Sequence, residues 1–267
     1  MKLGFIGCGN MAQAMIGGIV EHKILNGSDI IASDTYRPGL EKANATYGLV
    51  MAENNLEVVE KAEIIFLATK PYLYETVAKE IAHLLRPEQI IVTIAPGKTM
   101  EWMQEQFGKD TKIIRTMPNT PAMVGESMTG ICRNSLVTLE EFNYICNIMM
   151  NFGVVEEVPE SLIDVVIAVS SSSPAYVFMF IEAMADAASA DGMPRAQAYE
   201  FAAQAVLGSA KMILETGKHP GELKDMVCSP GGTTLEAIRV LEGHGLRSSV
   251  FEAVKACAAH CKKVVDK

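Results

Sequence analysis

The chain has 267 residues, and at roughly 150 residues per domain that length points to two modest domains. Hydrophobic residues make up 49% and charged residues 21%, a globular balance that excludes disordered, collagen-like and disulfide-scaffold chains. Lys and Arg total 23 against 32 Asp and Glu, and a net charge of −9 with no basic block repels nucleic acid and anionic membrane surfaces.

Up to about Val158, short β-rich apolar runs alternate with longer helical patterns: Leu3 to Ile6, Ile30 to Ser33, Ile64 to Ala68, Ile90 to Ile94, Ile113 to Met117 and Thr129 to Cys132. This alternation predicts an α/β domain whose mainly parallel sheet is covered by helices on both faces. Gly7-Cys8-Gly9-Asn10-Met11-Ala12 follows the first strand and opens a helical stretch over Met11 to Val20. That is a GxGxxA turn in its strand-turn-helix context: Gly7 allows the tight turn, Gly9 lets backbone approach a pyrophosphate, and Ala12 lets the helix sit close to the sheet. The helix N-terminus then faces the phosphates.

The second strand ends in Ala32-Ser33-Asp34-Thr35-Tyr36-Arg37, where a dinucleotide-binding fold holds the adenosine ribose. Asp34 suits the free hydroxyls of NAD and repels a 2′-phosphate, whereas Ser33, Thr35 and Arg37 could receive that phosphate, so the choice between NAD and NADP stays open; Asp34 as a simple helix cap is the alternative. Thr69-Lys70-Pro71, Ala95-Pro96-Gly97 and the rigid Met117-Pro118-Asn119-Thr120-Pro121 leave the C-terminal ends of further strands, the edge at which open α/β sheets bind ligands.

Beyond Pro159 the β-rich runs vanish and apolar residues recur at helical spacing, as in Tyr176, Met179, Phe180, Ala183, Met184 and Ala187. About five helices are expected there, broken at Ser172-Ser173-Pro174, at Gly192-Met193-Pro194 and at Gly217 to Pro220. Domains of 1–159 and 160–267 follow. The helical half carries more apolar surface than its own core needs, so an oligomer interface competes with simple packing as the explanation. Ser229-Pro230-Gly231-Gly232-Thr233-Thr234, just before Leu235 to Leu241, combines exposed backbone N–H groups, a helix start and hydroxyls. It is an anion nest or a plain helix cap. Ser170 to Ser173 is a second hydroxyl-rich helix entry.

From Asp164 through Ala210 there is no Lys and no His. Reduction of a carbonyl leaves an alkoxide that needs a proton donor, whereas a protonated imine does not, so the sequence leans towards C=N reduction. No HExxH or Cys/His pairing suggests a metal site. The six scattered cysteines read as reduced thiols of a cytoplasmic protein, no export signal is recognised, and no apolar run is expected to reach the roughly 18 residues that span a bilayer.

Five segments together resemble pyrroline-5-carboxylate reductase over essentially the whole chain: 4–12, Phe66 to Pro71, Arg115 to Pro121, Ser172 to Tyr176, and His219 to Asp225 running into Ser229 to Thr234. The resemblance implies reduction of 1-pyrroline-5-carboxylate to L-proline, the last step of proline synthesis, by hydride from NADPH or alternatively NADH. It implies an N-terminal Rossmann domain followed by an all-α dimerisation domain, as a homodimer that in some members builds decamers. Ser229, Gly232, Thr233 and Thr234 would hold the substrate carboxylate, and Thr234 would also orient the iminium as the first catalytic candidate. Gly7, Gly9, Asn10 and Met11 would bind pyrophosphate, Ser33, Asp34 and Arg37 would face the ribose, and Ala68, Lys70, Pro71 and Ala95 would line the nicotinamide side. Two departures from the family pattern are Ser171 in place of a glycine, which would strain the backbone if a positive φ were needed, and Asp34 in place of a neutral residue. A two-domain hydroxyacid dehydrogenase, which would carry a catalytic Lys on the long helix, and a non-catalytic nucleotide-sensing dimer are the rival readings.

Overall fold

The computed structural model describes residues 2–265 and divides into two compact units, 1–172 with 257–267, and 173–256. The first unit is built on one eight-stranded sheet: β1 (Leu3–Ile6), β2 (Ile30–Ser33), β3 (Val50–Met51), β4 (Ile64–Leu67), β5 (Ile90–Thr93), β6 (Lys112–Met117), β7 (Ser127–Arg133) and β8 (Gly153–Glu157). The order is β3-β2-β1-β4-β5-β6-β7-β8, all neighbours parallel except β6 and β7. The direction of travel reverses between β1 and β4, and the crevice there is where such sheets hold ligands.

Strands β1, β2, β4 and β5 are buried throughout, because helices cover both faces. Alternation sends Ile64 and Phe66 to one core, with Leu3, Phe5, Ile90 and Val92, and Ile65 and Leu67 to the other, with Ile91 and Ile113. Helices α1 (Asn10–Glu21), α2 (Arg37–Tyr47) and α6 (Leu139–Met149) close the first core; α3 (Asn55–Lys61), α4 (Tyr74–Ile81) and α5 (Met100–Phe107) close the second.

The expected helix start at Ser172-Ser173-Pro174 is present, with Ser172 in a bend and α-helix beginning at Ser173, but it follows a preceding helical turn without a loop. Helix α7 (Ile163–Val166) passes through a π turn (Ile167–Ser171) into α8 (Ser173–Ala190), one helical run over 160–190 of 31 residues. Pro174 falls in the first turn of α8, where its missing N–H is tolerated. This corrects the expectation that no apolar run reaches membrane-spanning length: by length and composition the run qualifies, with a mean hydropathy of 1.6. Its start is nonetheless tied to the sheet unit, since buried Arg115 donates through Nη1 to Glu160 Oε1 at 3.0 Å, and the same oxygen accepts the Met100 N–H at 2.7 Å. Ser171 is unstrained: among the described non-glycine residues only Lys23 has a positive φ.

The second unit contains α8, then α9 (Arg195–Thr216), α10 (Pro220–Val227), α11 (Thr233–Gly243) and the greater part of α12 (Leu246–Val265). The breaks after α8 and α9 fall as expected, with Pro194 preceding α9 and Gly217 capping its end. Within this unit only Ala185, Ala198, Ala202 and Leu223 are buried, while Phe178, Met179, Phe201 and Phe251 are each more than 60% exposed.

Candidate active site

At the end of β1 the chain turns through Gly7, whose φ of +95° an L side chain rarely adopts. A Cβ there would stand 2.7 Å from the Ala68 carbonyl carbon and 2.9 Å from the Thr69 nitrogen, so the turn is pressed against the end of β4. Gly9 is the opposite case, because a Cβ there would meet nothing within 4 Å. The extended Gly9 precedes α1, no side chain caps that helix, and its first N–H groups therefore face open space. Gln13 braces the turn, its Nε2 donating to the Cys8 carbonyl at 2.8 Å, while Ala12 is buried below. Asn10 is exposed and Met11 half-buried. This is backbone shaped for a pyrophosphate, and the residues present fit a dinucleotide.

Asp34 is half-buried and accepts two backbone bonds: Oδ2 from the Cys8 N–H at 2.6 Å and Oδ1 from the Tyr36 N–H at 2.8 Å. It thus joins the glycine turn to the loop after β2 and does not cap α2, whose start has no side-chain cap. Of the candidates for a 2′-phosphate, Ser33 points inward; it is 3% exposed and its hydroxyl donates to Asn55 Oδ1 at 2.7 Å. Asn55 Nδ2 in turn donates to Glu80 at 2.7 Å. Arg37 lies on the exposed rim, with Nη1 bound to the Ala52 carbonyl at 3.0 Å.

On the other side of the switch point, Ala68 is half-buried, Lys70 exposed, and Pro71 opens a short 3-10 turn. Ala95 is buried, its N–H bonded to Thr93 Oγ1 at 3.3 Å, and Thr93 Oγ1 donates to the Tyr74 hydroxyl at 3.1 Å. Burial pushes the Tyr74 phenol far above its ordinary range, so this buried hydroxyl holds its proton and serves the loop as a strut. Asn119, which sequence reasoning placed in a rigid ligand loop, is buried and bonded on every side: its N–H to Ser127 Oγ, its Oδ1 to the Met128 N–H, and its Nδ2 to the Ser170 carbonyl. Nothing in the local pattern signals that brace, because its partners lie up to 51 residues away.

In the helical unit, Gly231 takes a φ of +69° and the Gly232 N–H closes a turn onto the Ser229 carbonyl at 3.0 Å. Helix α11 then starts at Thr233 with no side chain capping it. Gly232 is its N-cap residue. Ser229 and Thr233 are exposed, Thr234 is half-buried, and none of their hydroxyls has a hydrogen-bond partner among the described residues. Open N–H groups beside free hydroxyls at a helix start suit a small carboxylate. No group of three or more His, Cys, Asp or Glu among the described residues could hold a metal ion.

Comparison with known proteins is consistent along the chain. The family model for pyrroline-5-carboxylate reductase dimerisation matches residues 160–264, and one described as NADP oxidoreductase, coenzyme F420-dependent, matches residues 2–97. The pyrroline-5-carboxylate reductase of Escherichia coli is 51% identical over 267 residues, covering 98% of each chain. A crystal structure of Plasmodium falciparum pyrroline carboxylate reductase with NADP bound superposes with a TM-score of 0.91 at 29% identity, covering 99% of this chain and 98% of that one. A pyrroline-5-carboxylate reductase from Coxiella burnetii gives 0.90 at 32% identity, covering 98% of each. With a nucleotide turn built on Gly7, an uncapped hydroxyl-rich helix start at Thr233, and this degree of identity over its whole length, the chain belongs to the pyrroline-5-carboxylate reductases, a family of oxidoreductases.

Proposed function

We propose that the chain reduces 1-pyrroline-5-carboxylate to L-proline with NADPH, its nucleotide held by 1–159 and its substrate by 160–267. The uncapped start of α11, with the unengaged hydroxyls of Ser229, Thr233 and Thr234, carries this reading. When bound, NADPH supplies a hydride. Gly7, Gly9, Asn10 and Met11 offer backbone to its pyrophosphate, Asp34 and Arg37 meet its ribose, and Ala68, Lys70, Pro71 and Ala95 border its nicotinamide; Ser33 supports that rim from inside through Asn55. Ser229, Gly232, Thr233 and Thr234 receive the substrate carboxylate, and the Thr234 hydroxyl orients the ring nitrogen. The iminium arrives protonated, so the hydride neutralises a cation and no general acid is required.

The exposed apolar faces of α8, α9 and α12, in a segment matched by a dimerisation family, support a homodimer that can build higher assemblies such as a decamer. The same coverage, together with the Arg115–Glu160 anchor, favours a cytoplasmic protein with no membrane and no nucleic-acid partner over a membrane-spanning run at 160–190. The absorbance of NADPH and, in parallel, NADH is followed as purified protein meets 1-pyrroline-5-carboxylate, with proline identified as product. Nucleotide binding without turnover would refute the reading.

A further inference from the structure

Pro174 has no N–H, so the bond that an α-helix would send from residue 174 back to the Ser170 carbonyl cannot form. Asn119 Nδ2 donates to that carbonyl instead, at 3.1 Å. The same short stretch is tied to the sheet unit at each hydroxyl: Ser170 Oγ donates to the Met128 carbonyl at 3.1 Å, Ser171 Oγ donates to the Pro118 carbonyl at 3.2 Å, and Ser172 Oγ accepts from Cys257 Sγ at 3.3 Å. Asn119 is 7% exposed, and its Oδ1 accepts the Met128 N–H at 3.1 Å, so one side chain links the loop after β6, the start of β7 and the π turn. That loop leaves the C-terminal end of β6, on the sheet edge it shares with the ends of β4 and β5. A π turn is a costly piece of helix that persists where something holds it, and such turns cluster at functional sites.

We propose that Asn119 is a positioning residue for the reduction: its amide holds the π turn Ile167–Ser171 in register with the sheet edge that carries the nicotinamide. The inference rests on the reductase reading. It follows that Asn119 acts on the geometry of hydride transfer and not on cofactor affinity, which is set at the glycine turn and at Asp34.

The test compares wild type with Asn119→Asp, Asn119→Ala and the double variant Asn119→Ala with Pro174→Ala. Asn119→Asp keeps the acceptor for Met128 and loses the donor for Ser170; Pro174→Ala returns a backbone N–H able to donate to Ser170. The expected result is a kcat at least about tenfold lower in both single variants, since a misplacement of about 1 Å can cost a hundredfold. KM and Kd for NADPH should stay within about twofold, and Pro174→Ala should recover a substantial part of kcat in the Asn119→Ala background. Wild-type kcat in Asn119→Asp, a matching loss of NADPH affinity, or no recovery in the double variant would overturn the assignment. Failure of both single variants to fold would do so too, by making Asn119 a stability residue only. If wild type itself turns over no 1-pyrroline-5-carboxylate, the reductase reading fails instead. Hydrogen exchange of the peptide spanning 167–172, expected to speed up in Asn119→Asp, still decides whether the amide holds the turn.

Discussion

Asp34→Ser separates what the carboxylate does for the fold from what it does for the nucleotide. In the protein it accepts the Cys8 and Tyr36 N–H groups at 2.6 and 2.8 Å, and a serine at this position cannot reproduce both. Losing those bonds costs about 1–3 kcal/mol, but it bears equally on NADH and NADPH. The discriminating effect is charge. Two unit charges 4 Å apart repel by about 1 kcal/mol in water and about 4 kcal/mol at an effective dielectric of 20, and a half-buried rim lies between these limits. Removing about 1.4–2.7 kcal/mol of repulsion from the 2′-phosphate raises the ratio of kcat/KM for NADPH over NADH by roughly 10- to 100-fold. The assay is nucleotide oxidation at fixed 1-pyrroline-5-carboxylate and low salt, with the ratio, not either rate, as the readout. A ratio within about twofold of wild type would show that Asp34 serves only the glycine turn.

Thr234→Ala should lower kcat by about 10- to 100-fold and leave the NADPH Kd unchanged in a fluorescence titration, because it removes an orienting hydroxyl from the helical unit and nothing from the nucleotide turn. In Gly7→Ala the new Cβ would stand 2.7 Å from the Ala68 carbonyl carbon at a left-handed φ. Strain of about 1–3 kcal/mol plus that overlap should lower Tm by several degrees and weaken NADPH binding more than tenfold, which calorimetry and titration can check. Burial, reinforced by Asp34, pushes the Cys8 thiol up from 9.0 to about 11, and burial followed by Glu160 pushes Cys132 up to about 12. Thiols of the unfolded chain ionise first, so the contribution of these two thiols to stability is unchanged below about pH 9 and falls as pH rises from about 9 towards 11 and 12. Urea midpoints that hold steady across pH 9–11 would contradict this, and Cys132→Val should flatten the decline.

The parallel strands were legible because each is an unbroken apolar run: β1, β2, β4 and β5 fall within a residue of their expected bounds. Strand β3 is two residues long, and β8, Gly153–Glu157, ends in acids on the sheet edge; neither carries a pattern that a reading of apolar runs detects. The helix start at Ser173 is legible because a serine run before proline is its signature; the π turn that leads into it is not, because the bonds that hold it reach across the fold from Asn119 and Pro118. The tight turn at Gly7 is legible from spacing alone. The inward turn of Ser33 was not, because Asn55, its hydrogen-bond acceptor, stands 22 residues further on.

The scarcity of buried residues between 173 and 256 ties the order of these helices to the concentration of the chain. Three alanines and Leu223 are too small an interior to offset the ordering entropy of these helices, so their stability must be supplied from outside the unit. A fold completed that way obeys mass action, and its population rises with the concentration of the chain itself. The Ser229–Thr234 loop sits in this half, whereas the glycine turn is set in a sheet with two cores of its own, so dilution is expected to cost the helical half its order before the sheet loses any.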